Sequence, residues 1–250
     1  IAFVIFSSLS SAIYLINDSV DINKDRKHPK KRFRPIASGQ LKLPIAWGAG
    51  VILTCTGLAA ALLLEPLFAV VSITYVITMV AYTLLFKQLI LLDVFAISTG
   101  FVLRAVAGAV VLQVPISPWL YLCTGLGSLF IALSKRRSEL ALAGEMAGDQ
   151  RDTLEWYSSC LLDQFAVVVA TSTLLAYGLY TFTASNLPDN HSMMLTIPFV
   201  VYGLFRYMYL VHTKDRGENP EDVLISDVPL IICILLWLVT TGAILVLFRG

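Results

Sequence analysis

Charge is what this sequence has least of. Only 14% of its 250 residues are Asp, Glu, Lys or Arg, against roughly a quarter in soluble domains. Hydrophobic residues make up 57% and the mean hydropathy is +0.78, so the solvent of this chain is mostly lipid. The four cysteines, Cys55, Cys123, Cys160 and Cys233, stand far apart, with no CxxC pair and no histidine at ligand spacing. They offer no zinc site and read as small buried packing residues. A Walker loop, a Rossmann fingerprint, a serine-triad signature and a regular internal repeat are also missing, which removes the common soluble nucleotide-binding and hydrolase classes. The net charge of +1 marks no nucleic-acid partner. At Ile1 an apolar run begins without a basic leader or cleavage site. It reads as a span entered part-way and not as a signal peptide, so sequence before Ile1 is expected.

Apolar runs long enough for a bilayer core, about 20 residues each, lie near 1–17, 43–64, 67–86, 89–112, 117–134, 159–183, 193–211 and 228–248. Two kinds of loop alternate between them. One kind is charged: Asp18 to Lys42, the turn at Lys87 and Gln88, Lys135 to Tyr157, and His212 to Asp227. The other kind, around Glu65 and Pro66, Gln113 to Pro118, and Ala184 to Ser192, has no Lys or Arg. Of the 18 basic residues only Arg104 and Arg206 fall inside spans, and Arg249 follows the last one. Strict alternation supports the span count, and the positive-inside rule puts the charged loops in the cytoplasm. The expectation is an all-α polytopic bundle of eight transmembrane helices, one integral membrane domain over 1–250. The span-then-charged-loop pattern occurs twice, after Leu15 and after Leu133, which suggests two helix groups around a central cavity with both loops as its cytoplasmic mouth.

The densest polar signal is Asn17-Asp18-Ser19-Val20-Asp21-Ile22-Asn23-Lys24-Asp25. Continued as a helix, it sets Asn17, Asp18, Asp21 and Asp25 on one stripe. Three carboxylates on one face repel each other. A hard divalent cation such as Mg²⁺ relieves that repulsion and keeps oxygen positions open for substrate phosphates; a solvated acidic helix end is the plainer alternative. A basic turn follows, Arg26-Lys27-His28-Pro29-Lys30-Lys31-Arg32-Phe33-Arg34-Pro35-Ile36-Ala37-Ser38-Gly39. It suits either anionic lipid heads or the phosphates of a substrate gripped opposite a metal. Tyr82, Lys87 and Asp93 gather at the same membrane face. Arg104, flanked by Gly100 and Gly108, lies deeper, where a charge must face inward to the cavity or to an acid such as Asp93; the glycines read as helix contacts. Lys135 and Glu139 share a helical face at the end of the fifth span. Arg206 sits within the seventh, and Glu218, Glu221, Asp222 and Asp227 read as a solvated acidic loop.

Together, Asn17-Asp18-x-x-Asp21-x-x-x-Asp25-Arg26 and His28-Pro29-x-x-x-Arg32-x-Arg34-Pro35-Ile36-Ala37-Ser38-Gly39 resemble the first signature of the UbiA superfamily of intramembrane prenyltransferases. Tyr82-x-x-x-x-Lys87, Asp93-Val94 and Gly100-Phe101-Val102-Leu103-Arg104-Ala105-Val106-Ala107-Gly108 resemble the segment that follows it. The resemblance implies nine helices around a lipid-open cavity, hence one helix before Ile1, together with Mg²⁺ and a reaction at the cytoplasmic face of the plasma membrane.

Prenyl-diphosphate members carry a second aspartate pair after the sixth helix. Here that stretch is Lys135-Arg136-Arg137-Ser138-Glu139-Leu140, with one acid. It resembles the decaprenyl-phosphate phosphoribosyltransferase branch instead, as do Leu162-Asp163-Gln164 and Arg206-Tyr207-x-Tyr209-Leu210. The implied reaction joins phosphoribosyl pyrophosphate to a polyprenyl phosphate, supplying lipid-linked pentose for cell-wall polysaccharide. Asp18, Asp21 and Asp25 are then the expected metal and catalytic carboxylates. Asn17, Lys24, Lys31, Arg32, Arg34, Tyr82, Lys87, Arg104, Lys135, Arg136, Glu139 and Arg206 are the expected substrate-binding residues. A prenyltransferase using prenyl diphosphate with an aromatic or lipid acceptor is the alternative within the superfamily, and a membrane transporter is the alternative outside it.

Overall fold

Lipid leaves backbone N–H and C=O groups no partner except each other, so each long apolar run must be helical whatever its content of Val, Ile and Thr. In a computed structural model describing residues 1–28, 31–114, 117–143, 152–184, 187–214 and 220–248, that requirement is met by eight long helices. They are α1 (Ala2–Val20), α3 (Leu43–Leu64), α4 (Pro66–Leu84), α5 (Leu92–Val111), α6 (Pro118–Ala143), α7 (Ser159–Thr183), α8 (Ile197–Lys214) and α10 (Val228–Phe248). Among the described residues, two short helices, α2 (Ile22–Lys27) and α9 (Pro220–Ser226), and four 3₁₀ turns lie between them. No strand occurs among the described residues. Seven of the long helices are long and apolar enough to cross a membrane. The eighth, α6, is diluted because it continues past the expected end of its span through Lys135, Arg136 and Arg137.

Hydroxyl side chains in the spans close onto their own helix: Thr54 donates to Gly50 O at 2.8 Å and Thr78 to Thr74 O at 2.8 Å, which removes an unpartnered donor from lipid. Proline starts α4 at Pro66, where its missing N–H is harmless, and the Glu65 carboxylate accepts from Phe68 N at 2.5 Å.

The chain forms two compact units. The first contains Ile1–Ser117 with the turn Asp152–Trp156, and the second contains α6 and the chain from Tyr157 onward. In the first, α3 turns a stripe of small residues, Ala46, Gly50, Gly57 and Ala61, toward α1 while its large residues face outward. Small residues let two backbones approach, which is how helices bind in lipid without a hydrophobic drive. A Cβ on Gly57 would lie 2.7 Å from Leu9 Cδ2, and Leu9 is fully buried. The core continues through Phe68, Tyr75, Met79 and Val110 of α4 and α5. In the second unit, α6, α7 and α8 pack through Phe130, Ala166, Ala170, Tyr207 and Leu210, with Val223 and Leu230 beside them.

Two expectations are corrected by this packing. Gly100 is a helix contact, since its Cβ would meet Met79 Cε at 2.8 Å, but Gly108 faces open space. Cys55 and Cys160 are exposed and Cys123 is half-buried, so only Cys233 is a buried packing residue; a thiol is apolar enough to face lipid at little cost. Gly57→Val should destabilise the protein by about 1–3 kcal/mol through overpacking against Leu9, whereas Gly108→Ala should be close to neutral. Thermal unfolding midpoints in detergent check both.

Candidate functional site

Asp18 lies in the last turn of α1. The helix stops at Val20, Asp21 takes φ −88° and ψ 5°, and α2 resumes at Ile22. The ladder is bent more than broken, since Asp21 N donates to Asn17 O at 2.9 Å and Asp25 N to Asp21 O at 2.8 Å. Asp18 and Asp25 consequently stay close enough for one guanidinium to reach both. Arg34 Nη1 lies 2.7 Å from Asp18 Oδ1 and 3.0 Å from Asp25 Oδ2. Asp21 is gripped from elsewhere in the unit, by Lys87 Nζ at 2.6 Å. Asp25 is buried, and a buried carboxylate without its cation would cost several kcal/mol.

Local structure explains why Arg34 arrives there. After α2 the basic stretch folds back as a tight turn, with Ser38 N on Arg34 O at 2.9 Å and Leu41 N on Pro35 O at 2.8 Å. Gly39 supplies the positive φ of +83° that the turn requires. Ile36 and Ala37 are buried and anchor it, and Arg26 Nε donates to Ala37 O at 3.2 Å. Lys87 is delivered by the 3₁₀ turn Phe86–Gln88 between α4 and α5. Lys24 and Arg32 are exposed, with the Arg32 guanidinium 4.8 Å from the Phe33 ring centre, and Lys31 and Tyr82 are half-buried. Pro29 and Lys30 lie outside the described residues.

Among the described residues no three of His, Cys, Asp and Glu stand together as a ready metal cage; the Asp18, Asp21 and Asp25 carboxylates are paired with Arg34 and Lys87 instead. The donor set still suits a hard cation: three carboxylates, plus the Asn17 Oδ1, which is buried and accepts no hydrogen bond.

Arg104 does find a partner, but a tyrosine. Its Nη2 donates to Tyr75 OH at 2.9 Å, and Ser10 Oγ meets the same hydroxyl at 3.1 Å. Its guanidinium also lies over the rings of Phe101 and Tyr75, at 5.0 and 5.5 Å. Arg104 lines a cleft of about 520 Å³ in the first unit, with Phe6, Ser10, Tyr14 and Gly108. Of the two expected surroundings, cavity or acid, Arg104 thus meets the cavity; Asp93, the acid named, is fully buried. Tyr75 and Ser10 were invisible as polar partners, because each reads as one more residue of an apolar span.

The second unit holds its own buried ion pairs. Arg136 is buried and bonds to Glu139 one turn on, within α6. Lys135, half-buried, lies on the same helix. Arg137 Nε and His212 Nε2 converge on Asp163 Oδ1 at 3.1 and 3.0 Å, tying α6, α7 and α8 together. Arg206 grips Asp227 with two bonds of 3.0 and 2.9 Å, and Asp227 also accepts from Leu230 N at 3.0 Å, capping α10. Asp227 is thus a buried partner, not the solvated loop acid expected; Glu218 lies outside the described residues. The 21-residue separation of that pair leaves no local periodicity to find it by.

A family model described as the UbiA prenyltransferase family matches residues 1–226. The chain is similar to the decaprenyl-phosphate phosphoribosyltransferase of Mycobacterium tuberculosis, 37% identical over 242 residues that cover 97% of this chain and 80% of that protein. It is 34% identical to the protein of that name from Corynebacterium glutamicum, over 95% of this chain and 72% of the other. Its fold is similar to that of a UbiA homolog from Archaeoglobus fulgidus bound to GPP and Mg²⁺, with a TM-score of 0.76 at 16% identity, covering 98% of this chain and 87% of that one.

Removing one member of a buried pair costs more than removing both. Arg136→Ala should therefore destabilise the protein by about 3 kcal/mol or more, and Arg136→Met with Glu139→Leu should recover most of the loss. Chemical unfolding in detergent measures the difference.

Proposed function

The chain belongs to the UbiA prenyltransferase family, and from that premise we propose that it transfers the phosphoribosyl group of 5-phosphoribosyl 1-pyrophosphate to a polyprenyl phosphate, releasing diphosphate. The observation that carries the reading is the carboxylate stripe of Asp18, Asp21 and Asp25 clasped by Arg34 and Lys87, a pairing of oxygen donors suited to a hard cation with phosphate-seeking cations in one place. The substrate class is supported by the relatives named decaprenyl-phosphate phosphoribosyltransferase and by the single acid in Lys135-Arg136-Arg137-Ser138-Glu139. The basic loops on one side of the spans support a plasma-membrane protein whose reaction faces the cytoplasm. The family match runs across both compact units, which supports their serving one reaction.

Asp18, Asp21 and Asp25, with Asn17 beside them, would hold Mg²⁺, which would supply neutralisation of the charge on the diphosphate leaving group. Arg34 and Lys87 hold its oxygens, Arg34 through a fork that matches them in geometry. A phosphate oxygen of the lipid attacks C1 of the ribose as the bond from C1 to the diphosphate oxygen breaks, and the diphosphate leaves with that electron pair. Phosphate is already a nucleophile at neutral pH, so no side chain has to remove a proton. Lys24, Lys31 and Arg32 draw the anionic substrates toward the site. Tyr82, Lys135, Arg136, Glu139, Arg104 and Arg206 complete the proposed binding set, with Lys135 on a phosphate and Arg104 in the cleft below Tyr14.

The purified chain with Mg²⁺ and labelled phosphoribosyl pyrophosphate should place label in lipid only when polyprenyl phosphate is present. Turnover of prenyl diphosphate with an aromatic acid, and none of phosphoribosyl pyrophosphate, would overturn the reading in favour of a prenyltransferase; uptake into vesicles without chemistry would point to transport. Asp18→Asn, Asp21→Asn and Asp25→Asn should each lower turnover at least about 100-fold in protein that still folds. Lys135→Ala should weaken use of the donor by about one to two decades, the value of a charged hydrogen bond to phosphate, as seen in initial rates against donor concentration.

A further inference from the structure

Arg34 stands on the oxygens that a metal at this site would take. Its Nη1 bridges Asp18 Oδ1 and Asp25 Oδ2 at 2.7 and 3.0 Å, while Lys87 holds Asp21 Oδ1 at 2.6 Å. All three carboxylates thus have a counter-charge supplied by the chain. A guanidinium and a divalent cation on the same oxygens repel each other, so one must give way. The two basic side chains differ in their freedom to do so: Arg34 is 39% exposed and sits on a turn, whereas the Lys87 side chain is 11% exposed. The Arg34 backbone stays pinned by Ser38 and by the buried Ile36. A guanidinium leaving Asp18 and Asp25 therefore remains tethered within a side chain's length of them.

Resting on the assignment of Asp18, Asp21 and Asp25 as metal carboxylates, we infer that Arg34 is a built-in competitor of the metal, released when a diphosphate offers it new oxygens. Only Nη1 of the guanidinium is spent on the two carboxylates, and its planar fork can take two phosphate oxygens. Mg²⁺ alone must displace Arg34 into water and binds weakly. Mg²⁺ with diphosphate gives Arg34 new phosphate oxygens, and the two ligands help each other by the same factor, as linkage requires. The device keeps the carboxylates paired between turnovers and favours the metal when the leaving group it must neutralise is present.

The test is metal binding to the whole chain in detergent. Mn²⁺ binding read by electron paramagnetic resonance should be at least about tenfold tighter in Arg34→Gln than in the unaltered protein, the value of one charge-assisted hydrogen bond removed from the competition. In the unaltered protein, Mg²⁺ and inorganic pyrophosphate together should raise the unfolding temperature by more than the sum of their separate effects, and in Arg34→Gln by the sum only. Unchanged or weaker Mn²⁺ binding in Arg34→Gln overturns the inference. So do additive effects in the unaltered protein, which decide the matter even if Arg34→Gln fails to fold. Asp18→Asn separates the two claims: if it binds Mn²⁺ as the unaltered protein does, the metal assignment itself fails. Binding lost in Asp18→Asn but unaltered in Arg34→Gln removes only the competitor role.

Discussion

Hydrocarbon cannot solvate a charge, and the placement of nearly every ionisable side chain described follows from that constraint. Inside the spans, Arg104 is satisfied by Tyr75 and two aromatic faces, and Arg206 by both oxygens of Asp227. At the helix ends the charges are numerous and also paired, but with more exposed partners, as in Arg34 with Asp18. A gradient results, from closed pairs inside the spans to pairs with a more exposed partner, such as Arg34, near the charged helix ends.

The pairing of Arg34 with Asp18 and Asp25 depends on a small backbone event. Had α1 run straight through Asp21, the chain would have carried the basic turn onward along the helix axis. The break at Asp21 and the positive φ at Gly39 fold that turn back, so Arg34 meets carboxylates sixteen and nine residues earlier. Burial of Ile36 and Ala37 keeps the turn in place while the guanidinium at its edge retains freedom.

The span positions were legible because a bilayer imposes a length and an apolar composition that few sequences satisfy by accident. The stripe of Asp18, Asp21 and Asp25 was legible because helical spacing survives the bend. Partners across elements were not. Lys87 with Asp21 spans 66 residues, and Tyr75, Ser10 and Asp227 carry no signal that separates a hydrogen-bonding role from ordinary span or loop composition. Gly100 and Gly108 looked alike in sequence, yet one packs on Met79 and the other opens onto a cleft, because a glycine records that a Cβ is absent and not what lies in its place.

Composition, period and charge alternation thus sufficed for the membrane class, the helix count, the face that carries the basic loops and the carboxylate stripe, since each is a property of one segment in one solvent. Which cation meets which acid, which cysteines are buried, and that Arg34 covers two of the carboxylates by itself were decided only by tertiary packing. Those facts depend on distances between segments far apart in the chain, and a hydrogen bond of about 3 Å is set by the approach of two backbones that no local pattern encodes.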